Sequence, residues 1–199
     1  MIHNLFPTPI GFYELDSPVT AEELAFVKGL EKRPNMGNVT SVDNYLFSNA
    51  RELDRLHDFV LEKTEEYFQE VYAPKHDVEP HITQSWANYT DKGQFHHKHE
   101  HPNSFISGVL YLSADPKLDK IYFYKNGYQQ IKVPTENWNH WNSDSWWFEV
   151  ATNKLILFPS SLTHMVETVQ SDETRISIAF NTFLKGTIGD EQSLTELLT

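Results

Sequence analysis

Four histidines fall within six positions near the middle of the chain. They are His96, His97, His99 and His101, in a protein with ten histidines in all. Imidazole is the commonest side-chain ligand for zinc, iron, copper and nickel. Because side chains of an extended strand alternate between its two faces, His97, His99 and His101 are predicted to project to one side. The segment is therefore either a metal-binding row of imidazoles or a polar edge that happens to be rich in histidine.

A second group of polar residues follows late in the sequence. His164 lies just after an apolar segment and a proline-containing turn, and Arg175 opens another apolar segment eleven positions on. If that segment is a strand, Arg175 and Ser177 share one face while Ile176 and Ile178 occupy the other. An arginine beside a hydroxyl can receive a carboxylate through bidentate, charge-assisted hydrogen bonds. The alternative is an outward-facing arginine on a half-exposed strand.

The secondary structure predicted to position these residues changes at about His81. Before it, apolar residues recur about every 3.6 residues, as in a helix, and after it they recur every second residue, as in a strand. Segments rich in aromatic and β-branched residues then alternate with turn residues such as Asn126-Gly127. The predicted strands are residues 82–89, 105–113, 121–125, 128–133, 146–150, 154–158, 165–169 and 175–183. This pattern predicts a mainly β fold, a double-sheet jelly roll with two N-terminal helices bracing one sheet.

The first part of the chain is predicted to support that core. Phe6–Leu15 carries two prolines and suits an edge strand or an extended arm. Helical spacing of apolar residues predicts helices over Ala21–Glu31 and Asn49–Tyr72, the second with a cap region at Ser48. Asn35–Asn44 is predicted to be a loop. We find no repeat or linker, and predict one domain with helical support over 1–80, the jelly-roll core over 81–184 and a tail over 185–199.

Composition narrows the classes of function. The net charge of −12, from 16 basic and 28 acidic residues, disfavours nucleic acid as the main partner. The absence of cysteine excludes disulfides, cysteine-ligated metal sites and thiol catalysis. No apolar run approaches the ~20 residues of a membrane span, and the first residues lack the features of a secretory signal. A cytoplasmic location is therefore expected.

Taken together, these motifs carry a family resemblance. Residues His99–Leu112 read His-x-His-Pro-Asn-Ser-x-x-Ser-Gly-Val-x-Tyr-Leu. They are followed by Phe-Pro-Ser at Phe158–Ser160 with His164 after it, and by Arg-x-Ser-x-x-Phe-Asn at Arg175–Asn181. In this order the motifs resemble the 2-oxoglutarate- and iron(II)-dependent oxygenases, and most of all a group common in bacteria and tailed phages. If the chain is phage-encoded, the expected location is the host cytoplasm.

The resemblance implies a double-stranded β-helix, a form of jelly roll, with iron(II) at its open mouth. It implies that His99 and His164 are metal ligands and that 2-oxoglutarate and O2 are the cosubstrates. Oxidation of a prime substrate, usually its hydroxylation, would then release succinate and CO2. Transferred by position, the cosubstrate-binding candidates are Arg175 and Ser177 for the distal carboxylate, with Asn88 and Tyr111 as weaker neighbours.

The chain departs from the family pattern at one ligand. Most such oxygenases place a carboxylate two residues after the first histidine, whereas this chain has His101 there. In one interpretation the metal is held by His99, His101 and His164. In the other a register shift makes His97 and His99 the pair and leaves His101 outside the ligand set. Either way, Glu100 is expected to point away and His96 is given no role.

Three imidazoles would carry a chemical consequence for the metal. Their ligand set is neutral, so it would stabilise oxidised iron less than a carboxylate set does. It should also bind metal more weakly as pH falls through ~6.5, because all three rings must be deprotonated.

Two further points stay open in the sequence. The aromatic stretch at residues 138–141, together with Trp146 and Trp147, is either a lid or substrate wall near the mouth or a long loop packed on the sandwich. Two other functions compete with an oxygenase: a cupin-like metal-binding jelly roll without oxygenase activity, and a carbohydrate- or partner-binding β-sandwich. Neither needs Arg175 and Ser177.

Overall fold

Two antiparallel sheets and three helices make up the part of the chain that the computed structural model describes, residues 1–75, 77–127, 131 and 133–199. The helices are α1 (Ala21–Gly29), α2 (Leu46–Asn49) and α3 (Asp54–Tyr72), with a 3-10 turn at Arg51–Leu53 before α3. The strands are β1 (Gly11–Glu14), β2 (Lys32–Pro34), β3 (Val39–Ser41), β4 (Val78–Thr90), β5 (His96–His99), β6 (Ile106–Ser113), β7 (Lys120–Tyr124), β8 (Ser145–Glu149), β9 (Lys154–Pro159), β10 (His164–Val166), β11 (Arg175–Ile188) and β12 (Leu197–Leu198).

The larger sheet has the strand order β1-β9-β6-β11-β4-β3-β2, with β12 pairing to β11. The smaller sheet has the order β5-β10-β7-β8. All of the pairings in these two paths are antiparallel. The predicted mainly β jelly roll is thereby confirmed. Within the described ranges, no helix combines the length and apolar character needed to cross a membrane.

Strand β11 divides the molecule into two apolar cores because its residues alternate between the faces of the larger sheet. Ile176, Ile178 and Phe180 lie in the core between this sheet and the helices. Ala179 lies in the second core, between the two sheets. Arg175 and Ser177 share the parity of Ala179 and therefore face the space between the sheets, as the alternation predicted.

The N-terminal helices cover the outer face of the larger sheet. Helix α1 begins at a capping box in which Thr20 and Glu23 satisfy each other's backbone N–H groups. The predicted second helix was wrong at its start: α3 begins at Asp54, and its N-cap, Leu53, forms no side-chain cap. The apolar stripe continues through α2 and the 3-10 turn, so periodicity alone extended the helix too far toward Ser48.

Three other predicted segments differ from the structure or lie beyond its description. The loop expected over Asn35–Asn44 includes the turn and second strand of the β2–β3 hairpin, which adds to the edge of the larger sheet. Gly37 has a φ of +93°, which suits that turn. Of the edge strand or extended arm predicted over Phe6–Leu15, the edge strand is confirmed over Gly11–Glu14, which forms β1 at one end of the larger sheet. The predicted strand over residues 128–133 falls largely on positions 128–130 and 132, outside the described residues.

Gly108 is expected to be essential for packing in the larger sheet. A Cβ added there would overlap the Phe180 ring and lie 2.8 Å from Leu157 Cδ2. The Gly108→Ala variant should therefore lower the free energy of unfolding by about 1–3 kcal/mol in urea titrations. Gly29→Ala is the matched control, because a Cβ there meets nothing within 4 Å. Equal stability of the two variants would contradict the packing argument.

Candidate metal centre

A β-bulge in β5 decides which histidines face the interior. His99 is the cross-strand partner of His164, and His96 is the partner of Val166, with a register shift between the two pairs. The shift places His96 and His99 on the same inner face although they are three residues apart. Simple alternation did not predict the inward position of His96. The predicted grouping of His99 with His101 is confirmed, since their Nε2 atoms lie 3.0 Å apart, and the His97 ring centroid lies 4.7 Å from that of His99.

Three imidazoles converge at the inner edge of the smaller sheet. One nitrogen of each of His99, His101 and His164 lies within 4.8 Å of the other two. His99 Nε2 and His101 Nε2 are 3.0 Å apart. His101 follows the end of β5, where its backbone N–H donates to Ser160 O at 3.0 Å. The residues come from two neighbouring strands and one loop, and His101 and His164 are both buried.

Each of these three rings is oriented by a partner at its other nitrogen. His99 Nδ1 lies 2.7 Å from the backbone oxygen of His97, and His164 Nδ1 lies 3.0 Å from that of Leu162. A carbonyl only accepts, so both rings carry the proton on Nδ1 and leave the Nε2 lone pair free. His101 Nδ1 lies 2.7 Å from Ser107 Oγ. This is the arrangement that metal-ligating histidines usually adopt.

Ser107 is itself held by a polar network. Its hydroxyl lies 2.8 Å from Ser160 Oγ and donates to Asn181 Oδ1 at 3.1 Å. With that proton committed to Asn181, the Ser107 oxygen is free to accept from His101 Nδ1–H. The sequence analysis missed Ser107 and Ser160 as supports for the metal site, because nothing in the sequence separates a supporting serine from the many others.

Burial keeps the rings of the cluster neutral. Desolvation lowers the pKa of His101 to about 4, with a further contribution from His99. Desolvation likewise lowers the pKa of His99 and brings that of His164 well below its ordinary value. The expected loss of metal binding near pH 6.5 therefore moves to lower pH, because the folded protein holds its ligands deprotonated there.

A second trio shares one histidine with the first. Nitrogens of His96, His97 and His99 also lie within 4.8 Å of one another. The ring of His96 stacks on that of His99 with centroids 4.5 Å apart and planes 24° apart. Lone pairs lie in the ring plane, so those of two stacked rings run side by side instead of meeting at one point. The geometry of this trio suits a metal less well than that of His99, His101 and His164.

Glu100 does not join either trio. Its side chain is exposed and accepts a hydrogen bond from the Thr163 hydroxyl. The expectation that it points away from the cluster is confirmed.

A buried arginine lies in the cavity that the imidazoles also line. Arg175 is 4% exposed, and its Nη2 makes a long contact of 3.4 Å to Thr90 Oγ1. Its Nη1 is buried without a hydrogen-bond partner among the described atoms. Desolvation lowers the pKa of this guanidinium, while Tyr111 and Asp119 oppose the shift. A buried cation with an unused donor is an incomplete site that a carboxylate would complete.

The other predicted cosubstrate residues surround Arg175. Ser177 pairs in register with Asn88 on β4 and with Tyr111 on β6, so the three side chains share one face. All three are buried and line the same cavity as the histidines. The Asn88 Oδ1 is another buried atom without a partner among the described residues. Trp86 lies on this wall too, with its ring edge toward His101 at 5.8 Å.

An aromatic cavity of about 610 Å³ continues the inner face of the smaller sheet. Cross-strand pairing places His99, His164, Phe123 and Trp146 in one row, on neighbouring strands ~4.8 Å apart. Phe123 and Trp146 line this cavity together with residues 3–8 of the N-terminal arm and residues 140, 141 and 143–145.

The aromatic stretch divides between that cavity and the surface. The His140 ring packs on Trp146 at 4.3 Å, and Trp141 Nε1 donates to Asn4 Oδ1 at 2.8 Å. Trp138 and Trp147 are exposed, and Trp147 carries Lys120 over its ring. The stretch is thus partly a cavity wall and partly a surface loop.

The family described as "Putative 2OG-Fe(II) oxygenase" matches residues 84–181, about half of the chain. Those residues include the three imidazoles, the Ser107 network and Arg175. Residues 84–181 belong to the 2OG-Fe(II) oxygenase family. The oxygenase region thus begins within β4 and ends within β11, the two longest strands of the larger sheet. No curated protein matches the chain.

Solved structures agree with this oxygenase fold. A 2OG-Fe(II) oxygenase family oxidoreductase from Burkholderia pseudomallei has a TM-score of 0.57 at 16% identity, covering 79% of this chain and 74% of that one. HygX from Streptomyces hygroscopicus, with nickel, 2-oxoglutarate and hygromycin B bound, has a TM-score of 0.60 at 11% identity, covering 86% and 82%. A prolyl-4-hydroxylase from Pseudomonas putida has a TM-score of 0.55 at 15% identity, covering 86% and 92%.

The metal-free oxygenase is expected to lose stability as pH falls below about 6.5. In this pH range the imidazoles become protonated in the unfolded chain but stay neutral in the folded protein. This difference lowers the free energy of unfolding by up to about 1.4 kcal/mol per pH unit per ring. For His101 the effect ends near its folded pKa of about 4. Urea titrations at pH 7, 6 and 5 measure the slope, which should be shallower in His101→Phe. An unchanged slope in that variant would contradict the argument.

Ser107 is expected to control metal affinity through His101. Ser107→Ala removes the acceptor of His101 Nδ1–H, and loss of such an orienting bond costs about 10–100-fold in metal affinity. Ser177→Ala is the matched control, because Ser177 lines the Arg175 side of the cavity. Titration with Co(II) in the absence of 2-oxoglutarate compares the two. If both variants bound Co(II) like the parent protein, the Ser107 network would have no role in the site.

Proposed function

We propose that the protein uses His99, His101 and His164 to hold iron(II) and Arg175 to hold 2-oxoglutarate in an oxygenase reaction. The single observation that carries the proposal is the buried cavity that three converging imidazoles share with the unpaired guanidinium of Arg175. When bound with 2-oxoglutarate and O2, iron(II) supplies an oxidative decarboxylation that yields succinate and CO2 and oxidises a C–H bond of the prime substrate.

The donor set fits that metal. Three neutral imidazoles present Nε2 lone pairs toward one point, and imidazole suits iron(II) as well as zinc, nickel and copper. The Nδ1–H groups donate to Leu162 O, His97 O and Ser107 Oγ, so no ring has to rotate or lose a proton when metal enters. His101 takes the place that a carboxylate has in most of the family, which makes the ligand set neutral.

Arg175 and its neighbours fit a dicarboxylate. The guanidinium can donate from Nη1 to a carboxylate oxygen, and the Ser177 and Tyr111 hydroxyls lie on the same face of the sheet. The surrounding wall is apolar or neutral, with Ile121, Val166 and Ala179 among its residues. Low local dielectric strengthens the attraction of Arg175 for the cosubstrate.

The prime substrate is proposed to lie in the aromatic cavity next to the metal centre. Phe123 and Trp146 continue the row that begins with His99 and His164, so a ligand there lies about two strand spacings, ~10 Å, from His164. The walls are largely aromatic, which suits an apolar, ring-bearing group of a small molecule. Hydroxylation is the proposed outcome.

The oxygenase assignment accounts for more of the site than its rivals. A cupin-like metal site would use the imidazoles but would leave Arg175 Nη1 as a buried donor of a charged group with no partner among the described residues, which is unfavourable. A carbohydrate-binding sandwich would leave both the converging imidazoles and Arg175 unexplained.

Anaerobic addition of iron(II) and 2-oxoglutarate is expected to produce the visible charge-transfer band of the chelate, and admission of air should release succinate. His101→Ala should abolish the band through loss of iron. If no band and no succinate formed with the parent protein, the oxygenase proposal would fail. If His101→Ala bound iron like the parent, only the assignment of His101 would be wrong.

Arg175→Met is expected to weaken 2-oxoglutarate binding about 10- to 100-fold, because a charge-assisted pair contributes roughly 1.5–3 kcal/mol and each 1.4 kcal/mol is tenfold. Its Co(II) affinity should stay within about twofold, since Arg175 is not a proposed metal ligand. Arg33→Met is the matched control, as Arg33 is exposed on β2 and bonds Asn44. Parent-like 2-oxoglutarate affinity in Arg175→Met would refute the role of Arg175.

A further inference from the structure

His96 occupies a place that its position in the sequence does not suggest. Because of the bulge in β5, its side chain enters the same cavity as Arg175, beside Val166 and Ile121. It therefore lines the same cavity as the three proposed metal ligands and the guanidinium. A dicarboxylate that spans these two groups would lie in this cavity.

The ring of His96 is fixed by stacking but has no hydrogen bond within the described part of the chain. Its centroid lies 4.5 Å from that of His99 and 5.2 Å from that of His97. By contrast, the rings of His99, His101 and His164 each have an Nδ1 partner. A polar ring that is oriented in a cavity without a partner is available to a ligand.

A neutral imidazole suits this largely apolar wall, because it carries one N–H donor and one acceptor nitrogen. The ring of His96 can therefore donate a hydrogen bond to a carboxylate without adding a second cation next to Arg175.

We infer that His96 is a further cosubstrate-contacting residue, which donates a hydrogen bond from its ring to a carboxylate oxygen of 2-oxoglutarate. The inference rests on the proposed function and adds one side chain to those proposed to contact the cosubstrate. Stacking also places His96 directly beside His99, a proposed metal ligand.

A metal-ligand role for His96 is the competing possibility, since His96, His97 and His99 have nitrogens within 4.8 Å of one another. The stacked geometry with His99 disfavours it, as the in-plane lone pairs of two stacked rings do not converge. The two roles can be separated in a variant that keeps an aromatic ring but removes the ring nitrogens. A metal ligand would lose metal affinity, whereas a cosubstrate-contacting residue would lose 2-oxoglutarate affinity.

His96→Phe is that variant, because it retains the stacking surface and removes the donor. We expect 2-oxoglutarate to bind about tenfold more weakly to the iron(II)-loaded variant, the effect of one hydrogen bond to a charged group. Co(II) affinity without 2-oxoglutarate should stay within about twofold of the parent value. His96→Gln, which restores an N–H donor, should recover part of the lost affinity. His81→Phe, on the exposed face of β4, is the matched control.

The chelate band measures 2-oxoglutarate affinity, and Co(II) titration measures the metal site separately. If His96→Phe loses Co(II) binding as strongly as His101→Ala, His96 is a metal ligand and the inference is wrong. If His96→Phe binds 2-oxoglutarate like the parent, His96 only packs and the inference is also wrong. Both outcomes differ from failure of the proposed function, in which the parent protein itself gives neither band nor succinate.

Discussion

The pairing of His99 with His164 across β5 and β10 is the constraint on which the rest of the site depends. These two short strands bring together imidazoles from distant parts of the chain, and the ring centroids of His99 and His164 lie 4.3 Å apart. The same register aligns His164 with Phe123 on β7, which fixes where the aromatic cavity begins. The bulge that accompanies the pairing turns His96 inward. The register of β5 thus pairs His99 with His164, two of the proposed metal ligands, and its bulge brings His96 into the cavity that Arg175 also lines.

Burying polar groups costs free energy. Hydrogen bonds offset this cost around the proposed metal ligands, whereas some buried polar atoms around the proposed cosubstrate position have no hydrogen-bond partner among the described residues. Around the metal ligands every Nδ1 has a partner, and the Ser107–Ser160–Asn181 network extends behind His101. Around the cosubstrate position, Arg175 Nη1 and Asn88 Oδ1 remain buried and unpaired. The hydrogen-bonded part of the site, around the proposed metal ligands, is held in place before a ligand binds. The part around the proposed cosubstrate position would gain its missing hydrogen bonds from the ligand.

Exchanging a carboxylate for His101 alters the charge of the cavity. A ligand set of three neutral imidazoles leaves the positive charges of iron(II) and Arg175 to be balanced by the dianionic cosubstrate and by nearby groups such as Asp119. Asp119 is buried, and its attraction for Arg175 opposes the desolvation of the guanidinium. The geometry of the site tolerates the exchange because Ser107 orients the His101 ring.

Some elements were predictable because their signal is local. The stripe of α3 and the alternation along β11 each depend on neighbours within a few residues, and the structure confirms them. The start of α3 and the β2–β3 hairpin were not predictable in the same way. Apolar residues of α2 continue the helical period across a break, and β3 is a strand because it pairs with β4, a contact that is distant in sequence.

The sequence by itself determined the chemistry: the absence of cysteine, the cluster of imidazoles, and an arginine and serine on one face of a strand. It also determined the order of motifs that marks the oxygenase family. Only the tertiary structure decided which imidazole nitrogens lie close together and which further ring enters the cavity that Arg175 lines. It alone also decided that Arg175 Nη1 has no hydrogen-bond partner among the described residues. Those properties depend on strand register, and a bulge changes the register by one residue without leaving a pattern in the sequence.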